Sequence, residues 1–377
     1  MRTRGLWTAA AAVLLAACNQ APRPVTLHPA DTVPARLSDW QVIHADGERL
    51  TLNSGVLPYD LTVPLFSDYA LKLRTVWMPD GMSATYRDRS NIELDFPVGT
   101  ILSKTFHYRY ADSGFQKLDA EATLEKDGSL NLETHYLVET RLLVHHEEGW
   151  KAYPYVWNEA QTEAFLEIAG TEFEFTFGDE AFTYIVPDMN QCAGCHVPDF
   201  STKALRPIGP RAHLLNRTFD YVDGTRHQLL YWQQSGRLAG FTEPPPMNLT
   251  WAESRALATP AEMAEPSLDH LVRTYLDVNC AHCHNPQGPA DTSALNLSLG
   301  PVPPRELGLC KPPVAVGRGS GNRPYDIFPG KPGQSILLYR MEDNDPAIMM
   351  PELGRAMRHD EALALIESWI ANMEGDC

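Results

Sequence analysis

Two short segments of this 377-residue chain share the pattern Cys-x-x-Cys-His. They are Cys192-Ala193-Gly194-Cys195-His196 and Cys280-Ala281-His282-Cys283-His284. At this spacing the two thiols can add to the vinyl groups of one haem, and the adjacent histidine can ligate its iron. A zinc site built from the four cysteines is the alternative, but it leaves both following histidines without a role. We therefore expect two covalently bound haem c groups, with His196 and His284 as iron ligands.

The other three cysteines are Cys18, Cys310 and Cys377. Cys18 belongs to the N-terminal segment treated next. In an oxidising compartment a leftover pair is expected to be bonded, so we predict a disulfide between Cys310 and Cys377. Such a bond ties the C-terminus to the last domain and typically contributes about 2–4 kcal/mol. Two unrelated thiols are the alternative.

The N-terminus has the features of an export signal. Arg2 and Arg4 precede an apolar stretch, residues 6–17, which is shorter than the about 20 residues that a membrane-spanning helix needs. The stretch ends in Leu15-Ala16-Ala17-Cys18, which resembles a bacterial lipobox. Residues 1–17 are therefore predicted to be a lipoprotein signal peptide, with Cys18 the lipid-bearing first residue of the mature chain. An ordinary signal peptide is the alternative.

The residues after Cys18 bear on location. By resemblance to a sorting rule of enteric bacteria, Asn19 favours the outer membrane of a Gram-negative bacterium, with the protein facing the periplasm. Residues 18–36 are rich in Pro, Ala and Thr and are predicted to be a flexible tether.

Composition and charge narrow the class of protein. With 44% hydrophobic and 21% charged residues the chain is typical of globular proteins, and its length predicts two or three domains. The formal net charge of −17 argues against a nucleic-acid partner. The acidity could attract a basic redox partner, although a solvated acidic surface explains it equally well.

Residues 37–180 are predicted to form an antiparallel β domain, a sandwich or barrel-like structure. Five segments carry β-branched and aromatic residues between Gly and Asp turns, and the last of them alternates most clearly. The segments are Ile101 to Tyr110, Glu121 to Leu124, Ser129 to Glu133, Thr140 to His145, and Thr171 to Phe177. The neighbours His145 and His146 would point to opposite faces of a strand and cannot share a metal. No catalytic constellation is evident, so we expect a role in interaction or in shielding the haems.

Residues 266–377 resemble a class I cytochrome c domain. An amphipathic helix from Ser267 to Val278 leads into the second motif, and a second helix is predicted from His359 to Met373. In that fold the first and last helices pack across each other, with Tyr275 and Trp369 as the expected aromatic contacts. By the same resemblance Met350, directly before Pro351, is the expected sixth iron ligand, and Met349 is the alternative.

Residues 181–265 are predicted to form a first haem-binding region. Leu214-Leu215-Asn216-Arg217 and His227-Gln228-Leu229 resemble elements that follow the haem motif in exported dehydrogenase-associated cytochromes. The chain departs from that pattern by having His227 where the element has Asn. The sixth ligand of this haem stays open among Met247, His213, His227 and an open or water-bound iron.

Taken together, the chain resembles a family of bacterial dihaem c-type cytochrome lipoproteins with an N-terminal β domain. The segments that carry the resemblance are Pro64 to Ala70, Phe96 to Thr100, Tyr155 to Glu159, Tyr275 to Cys280, Gly317 to Gly321, and Met350 to Glu352. The resemblance implies an all-β domain followed by mainly α cytochrome c-type haem domains.

The expected function is electron transfer between periplasmic or outer-membrane redox proteins, without bond-making on a substrate. A peroxidase-like enzyme using an open site at the first haem is the alternative. A third hypothesis is that the β domain binds a ligand or partner that modulates the haems.

Overall fold

The computed structural model describes residues 23–86, 93–119, 124–257, 263, 265–314 and 317–377. The predicted signal peptide, Cys18 and most of the strand expected at 121–124 lie outside these ranges. Residues 23–36 of the expected tether are tied to the following domain, since the Thr26 amide donates to the carbonyl of Trp40 and Val25 packs on a buried apolar cluster. No helix in the described ranges is long and apolar enough to cross a membrane.

Strands dominate the described part of the chain. In chain order they are β1 Ile43–Ala45, β2 Arg49–Leu52, β3 Leu57–Tyr59, β4 Leu71–Trp77, β5 Ala84–Tyr86, β6 Leu94–Asp95, β7 Ile101–Ala111, β8 Gly114–Phe115, β9 Leu130–Asn131, β10 His135–His146, β11 Gly149–Trp157, β12 Ala164–Leu166, β13 Thr171–Phe177, β14 Glu180–Val186, β15 Thr218–Tyr221, β16 Gly224–His227 and β17 Leu238–Ala239.

The main sheet is antiparallel and has the order β12-β11-β10-β7-β4-β3, with β8 paired to β7. Long β-branched and aromatic runs favour its central strands, β4, β7, β10 and β11. A one-residue irregularity interrupts β10 between Leu137 and Glu139. Because such a bulge reverses the alternation of side chains, it determines which face of the sheet the rest of β10 presents.

Both faces of the main sheet are covered. One face, with Leu73, Ile101 and Val144, packs against the N-terminal segments around Trp40. The opposite face contributes Leu102 to a larger apolar cluster that also contains residues from 212–241 and 251–370. Residues of the β region and of both motif regions therefore contribute to one apolar cluster.

Three-stranded sheets and hairpins surround the main sheet. β1, β2 and β9 form one small antiparallel sheet, and β13 pairs with β14 directly before the first motif. β15 and β16 form a hairpin, and β17 pairs in parallel with β5. Strands thus also occur on both sides of residues 228–234, within the region that the resemblance led us to expect as mainly α.

Helices are short and few in the described residues. They are α1 Cys192–His196, α2 Gln228–Gln234, α3 Trp251–Arg255, α4 Glu265–Asn279, α5 Pro304–Leu307, α6 Ile336–Glu342 and α7 Asp360–Ala371. Helix makes up only 20% of the structure, so the prediction of mainly α cytochrome c-type domains after the β domain is wrong.

The physical reason for this error lies in the connecting segments. The periodic patterns that predict α4 and α7 are real, but prolines interrupt the chain before α4, at 244–246, and between α4 and α7, within 301–313. Proline removes a backbone donor and clashes with the preceding helical turn, so these stretches are irregular. Helices α4 and α7 do pack against each other. Tyr275 contacts the rings of Trp251 and His359, while Trp369 donates to Asp269 instead.

Candidate functional site

The first motif forms a single turn of helix, α1, directly after the β13–β14 hairpin. The Asp188 carboxylate accepts hydrogen bonds from the amides of Asn190 and Gln191 and thereby holds the turn that leads into it. His196 Nδ1 lies 2.8 Å from the carbonyl oxygen of Arg206. A carbonyl can only accept, so Nδ1 carries the proton and the lone pair of Nε2 is left available to a metal.

The second motif continues from the C-terminal end of α4, with the His284 amide donating to the carbonyl of Cys280. His284 Nδ1 lies 3.1 Å from Ser293 Oγ, and that hydroxyl donates its own proton to the carbonyl of Ala290. Since its single hydrogen is already used, Ser293 accepts from His284. His284 therefore has the same tautomer as His196, with an available Nε2.

The histidines of both motifs are held in the neutral form. Burial lowers the pKa of His196 to about 3, with a further contribution from the Lys104 ammonium. Burial likewise lowers the pKa of His284 to about 4, aided by Arg340 and Lys311. A neutral imidazole is the form that ligates a metal, so both side chains suit an iron ligand at neutral pH.

The two motifs touch each other. Cys283 Sγ lies 3.3 Å from the carbonyl oxygen of Gly194, which places the second attachment segment against the first. The neighbouring loops are also joined, since Asn285 Nδ2 donates to the carbonyl of Pro198 and the Phe200 amide donates to the carbonyl of Gln287. Groups attached at the two motifs would therefore lie close together.

The zinc alternative does not agree with the geometry. Cys192, Cys195, Cys280 and Cys283 are all free thiols and all lie in described residues. Among the described residues, the only cluster of three or more potential His, Cys, Asp or Glu ligands is elsewhere, at Asp119, His359 and Glu361. The four thiols thus do not gather around one point as a tetrahedral zinc site requires.

A cavity of about 240 Å³ separates the main sheet from the motifs. Its wall includes Cys192, Cys195 and His196 of the first motif and His282 of the second, whereas His284 is not part of it. Other lining residues come from the sheet and from the loop before α7. They include Arg74, Lys104, Arg141, Met349, Met350 and Arg355.

The predicted sixth ligands differ in whether they line this cavity. Met350 and Met349 line the cavity, and the Met350 amide donates to the carbonyl of Arg340. The three candidates for the first haem do not line it. Met247 is 56% exposed, while His213 bonds to Asp277 and His227 to Asn216, so both histidines have structural partners. The structure thus gives no support to Met247, His213 or His227 as the first haem's sixth ligand.

The cluster of Asp119, His359 and Glu361 has one ligand atom from each residue within 4.8 Å of the others. Trp251 Nε1 donates to both Asp119 oxygens. The Arg255 guanidinium lies 3.4 Å from Asp119 and 3.6 Å from Glu361. Because a cation already neutralises both carboxylates, the arrangement is that of an ion-pair network around His359.

Cys310 and Cys377 are joined by a disulfide, with their Cα atoms 5.3 Å apart. The bond fastens the last residue of the chain beside the buried ion pair of Lys311 and Asp326, whose charged atoms are 2.8 Å apart. The C-terminal segment is therefore held to the same loop region that approaches His284.

Several site residues could not be found from sequence patterns. The Arg206 carbonyl and Ser293 hydroxyl that orient the two histidines carry no motif, and the basic residues of the cavity wall are far apart in the chain. Only the strand register brings Arg74, Lys104 and Arg141 together.

Comparison of the chain with family models, with curated proteins and with solved structures gives no match.

Proposed function

We propose that the chain is a dihaem c-type cytochrome that transfers electrons and makes no bonds to a substrate. The observation that carries the proposal is the shared state of His196 and His284. Each follows a Cys-x-x-Cys pair, and each donates Nδ1–H to an oxygen so that Nε2 is free to bind iron. Haem iron would supply the one-electron redox chemistry, which no group of the chain itself offers.

The contact between the motifs supports an electron-transfer role. Gly194 and Cys283 are adjacent, so a group held at one motif lies next to the group held at the other. Electron exchange becomes faster as two redox centres approach, and this arrangement requires no mobile carrier between them. The chain's contribution is to hold the two attachment segments together through the Asn285–Pro198 and Phe200–Gln287 bonds.

The ligand set proposed for the second haem is His284 and Met350. The assignment of Met350 rests on its position directly before Pro351, as the resemblance implies, because the cavity that Met350 lines includes His196 and not His284. A thioether ligand would raise the potential relative to a second imidazole. Met349, which also lines the cavity, is the alternative ligand.

The proposed location and partners follow from the N-terminal sequence. Lipid attachment at Cys18 would anchor the chain to a membrane facing the periplasm, with the outer membrane favoured by Asn19. Its partners would be other periplasmic or outer-membrane redox proteins. Globomycin-sensitive processing and acylation of Cys18, detected as an intact-mass increase that Cys18→Ser abolishes, would test this part.

A peroxidase-like activity is the second candidate, and one observation favours it. The cavity of about 240 Å³ adjoins His196, and none of Met247, His213 and His227 lines it. An iron ligated by His196 could therefore keep an open position for a small ligand. Carbon monoxide binding to the reduced protein distinguishes the two functions, because a protein with both irons closed shows no carbonyl spectrum.

The proposal is tested by haem stoichiometry. The pyridine haemochrome assay and intact mass of the protein, produced with a cytochrome c maturation system, should give two covalent haems per chain. Cys192→Ala with Cys195→Ala should leave one haem, and so should Cys280→Ala with Cys283→Ala. Cys310→Ser with Cys377→Ser is the matched control, and it should keep both. No covalent haem in the unaltered chain would refute the proposal.

A further inference from the structure

Three basic residues form a row across the centre of the main sheet. Lys104 on β7 lies directly opposite Arg74 on β4 and directly opposite Arg141 on β10. All three line the cavity between the sheet and the motifs. Like charges placed directly opposite on neighbouring strands destabilise a sheet, so this row needs a compensating charge.

Protein carboxylates compensate the two ends of the row but not its centre. Arg74 forms a buried ion pair with Asp60, and Arg141 binds both oxygens of the fully buried Glu139. Lys104 has no hydrogen bond or ion pair with any described residue; its ammonium is 5.1 Å from the centroid of the Phe106 ring. Three basic side chains thus face two carboxylates. Burial, together with the neighbouring Arg141 and Arg74, lowers the pKa of Lys104 to about 7, so its ammonium lacks a counter-charge at the cavity wall and an anion bound there would keep it protonated.

The row adjoins the first motif. Cys192, Cys195 and His196 line the same cavity as the three basic residues. Of the second motif only His282 lines that cavity, whereas Cys280, Cys283 and His284 do not. The row therefore shares its cavity with the attachment residues of the first motif and not with those of the second.

We propose that Arg74, Lys104 and Arg141 form a carboxylate-binding row that receives the propionates of the haem attached at the first motif. This inference rests on the proposed function. Lys104 supplies the one charge that the protein leaves uncompensated, and the two arginines, already oriented by Asp60 and Glu139, present further donors. Charge-assisted bonds of this kind are stronger than neutral ones, and the β domain would thereby bind the haem as well as cover it.

The row has a consequence for the first iron. Ferric haem carries one more positive charge than ferrous haem, so a nearby cation favours the reduced state and an uncompensated propionate favours the oxidised state. Removal of the Lys104 charge changes both contributions in the same direction. The reduction potential of the first haem should therefore fall, while that of the second haem should change less.

The test is Lys104→Gln in the full-length, haem-loaded protein, with a potentiometric titration that resolves the two haems. We expect a lower potential for the first haem and a shift of the propionate bands in the redox-difference infrared spectrum. Lys104→Arg keeps the charge and should retain both signals. Lys151→Gln on β11 of the same sheet is the matched control, since Lys151 is exposed and does not line the cavity.

Three outcomes would overturn the inference. The first is an unchanged first-haem potential in Lys104→Gln, and the second is a lowered potential in Lys104→Arg. The third is a change in the ligand-field bands of the oxidised first haem in Lys104→Gln, which would make Lys104 an iron ligand rather than a propionate partner. If Lys104→Gln fails to load two haems, Lys104→Arg decides the question. Absence of covalent haem in the unaltered chain would instead refute the proposed function.

Discussion

The two Cys-x-x-Cys-His motifs have the same spacing but are positioned by different means. The second is the continuation of α4, a 15-residue helix whose apolar face packs on α7. The first is an isolated turn of five residues, α1, between a β-hairpin and an irregular loop. Local helix geometry thus positions the second motif, whereas the first depends on the sheet and on the backbone carbonyl of Arg206.

This difference shows which contacts stabilise each motif. The second motif depends on side chains of its own helix and on the disulfide, so single substitutions there should lower the free energy of unfolding. The first motif is held by backbone atoms and by contact with the second. Four predictions, ordered from the largest expected effect to the smallest, test this contrast.

The largest effect is expected from Tyr275→Ala, which empties a buried aromatic site in α4. Tyr275 is 3% exposed, packs on Trp251 and is hydrogen-bonded through its hydroxyl to His359 Nδ1, 3.0 Å away. The free energy of unfolding should fall by about 3–5 kcal/mol, measured by chemical denaturation. Tyr275→Phe is the matched control and should cost only about 1 kcal/mol, the hydrogen bond alone. Equal losses in both variants would contradict the role assigned to packing.

The second prediction concerns the Cys310–Cys377 disulfide, which closes a sequence separation of 67 residues. Cys310→Ser with Cys377→Ser should lower the free energy of unfolding by about 2–4 kcal/mol, because the unfolded chain regains the entropy that the cross-link removes. In the haem-loaded protein that we propose, the absorption bands of the haem at the second motif should broaden and those of the haem at the first motif should not, if the contrast between the motifs is correct. Broadening at the first haem alone would contradict the claim that the disulfide supports the second motif and not the first.

The third prediction uses pH to test the link between the two regions. Asp277 at the end of α4 pairs with Arg211 and His213 from the first region. Burial alone would raise its pKa, but the Arg211 guanidinium and the His213 bond together lower it to about 2. Because the folded pKa lies below the unfolded value of about 4, the stabilisation is present above pH 4 and is lost as the pH falls towards 2.

The loss over that interval should be about 2 kcal/mol, seen as a steeper acid dependence of the unfolding free energy. Asp277→Asn should remove this part of the dependence. The exposed Asp291→Asn, in the loop after the second motif, should leave it in place. An acid profile that Asp277→Asn does not alter would show that the regions are not coupled through this residue.

Sequence patterns predicted the parts of this architecture that depend on local order. Alternation located β7 and β13, helical periodicity located α4 and α7, and the count of cysteines paired Cys310 with Cys377. The strands and helices depend on residues close to one another in the sequence, so they can be predicted from one sequence alone.

The remaining features depend on contacts between distant segments. Arg141 and Arg74 both lie opposite Lys104 because of the bulge in β10 and the registers of β4, β7 and β10. No local sequence pattern encodes a strand register. The same holds for the sixth ligands. Met247 follows three prolines, and nothing in that segment reveals that its side chain is exposed and does not line the cavity that His196 lines. The wrong fold class has a different origin, since it came from extrapolating α4 and α7 across proline-interrupted segments.

The smallest effect is expected from Ser293→Ala. This substitution tests whether a side chain orients the histidine of the second motif, while a main-chain atom orients that of the first. Ser293 Oγ accepts the Nδ1 proton of His284, whereas the corresponding acceptor for His196 is a main-chain carbonyl that no substitution removes. Loss of the hydroxyl should cost about 1 kcal/mol of stability. The bond also increases the basicity of the imidazole, which favours ferric iron, so its removal should raise the potential of the second haem and leave that of the first unchanged. Ser293→Thr retains a hydroxyl and should restore the original potential; equal shifts at both haems would mean that His284 and His196 are not oriented independently.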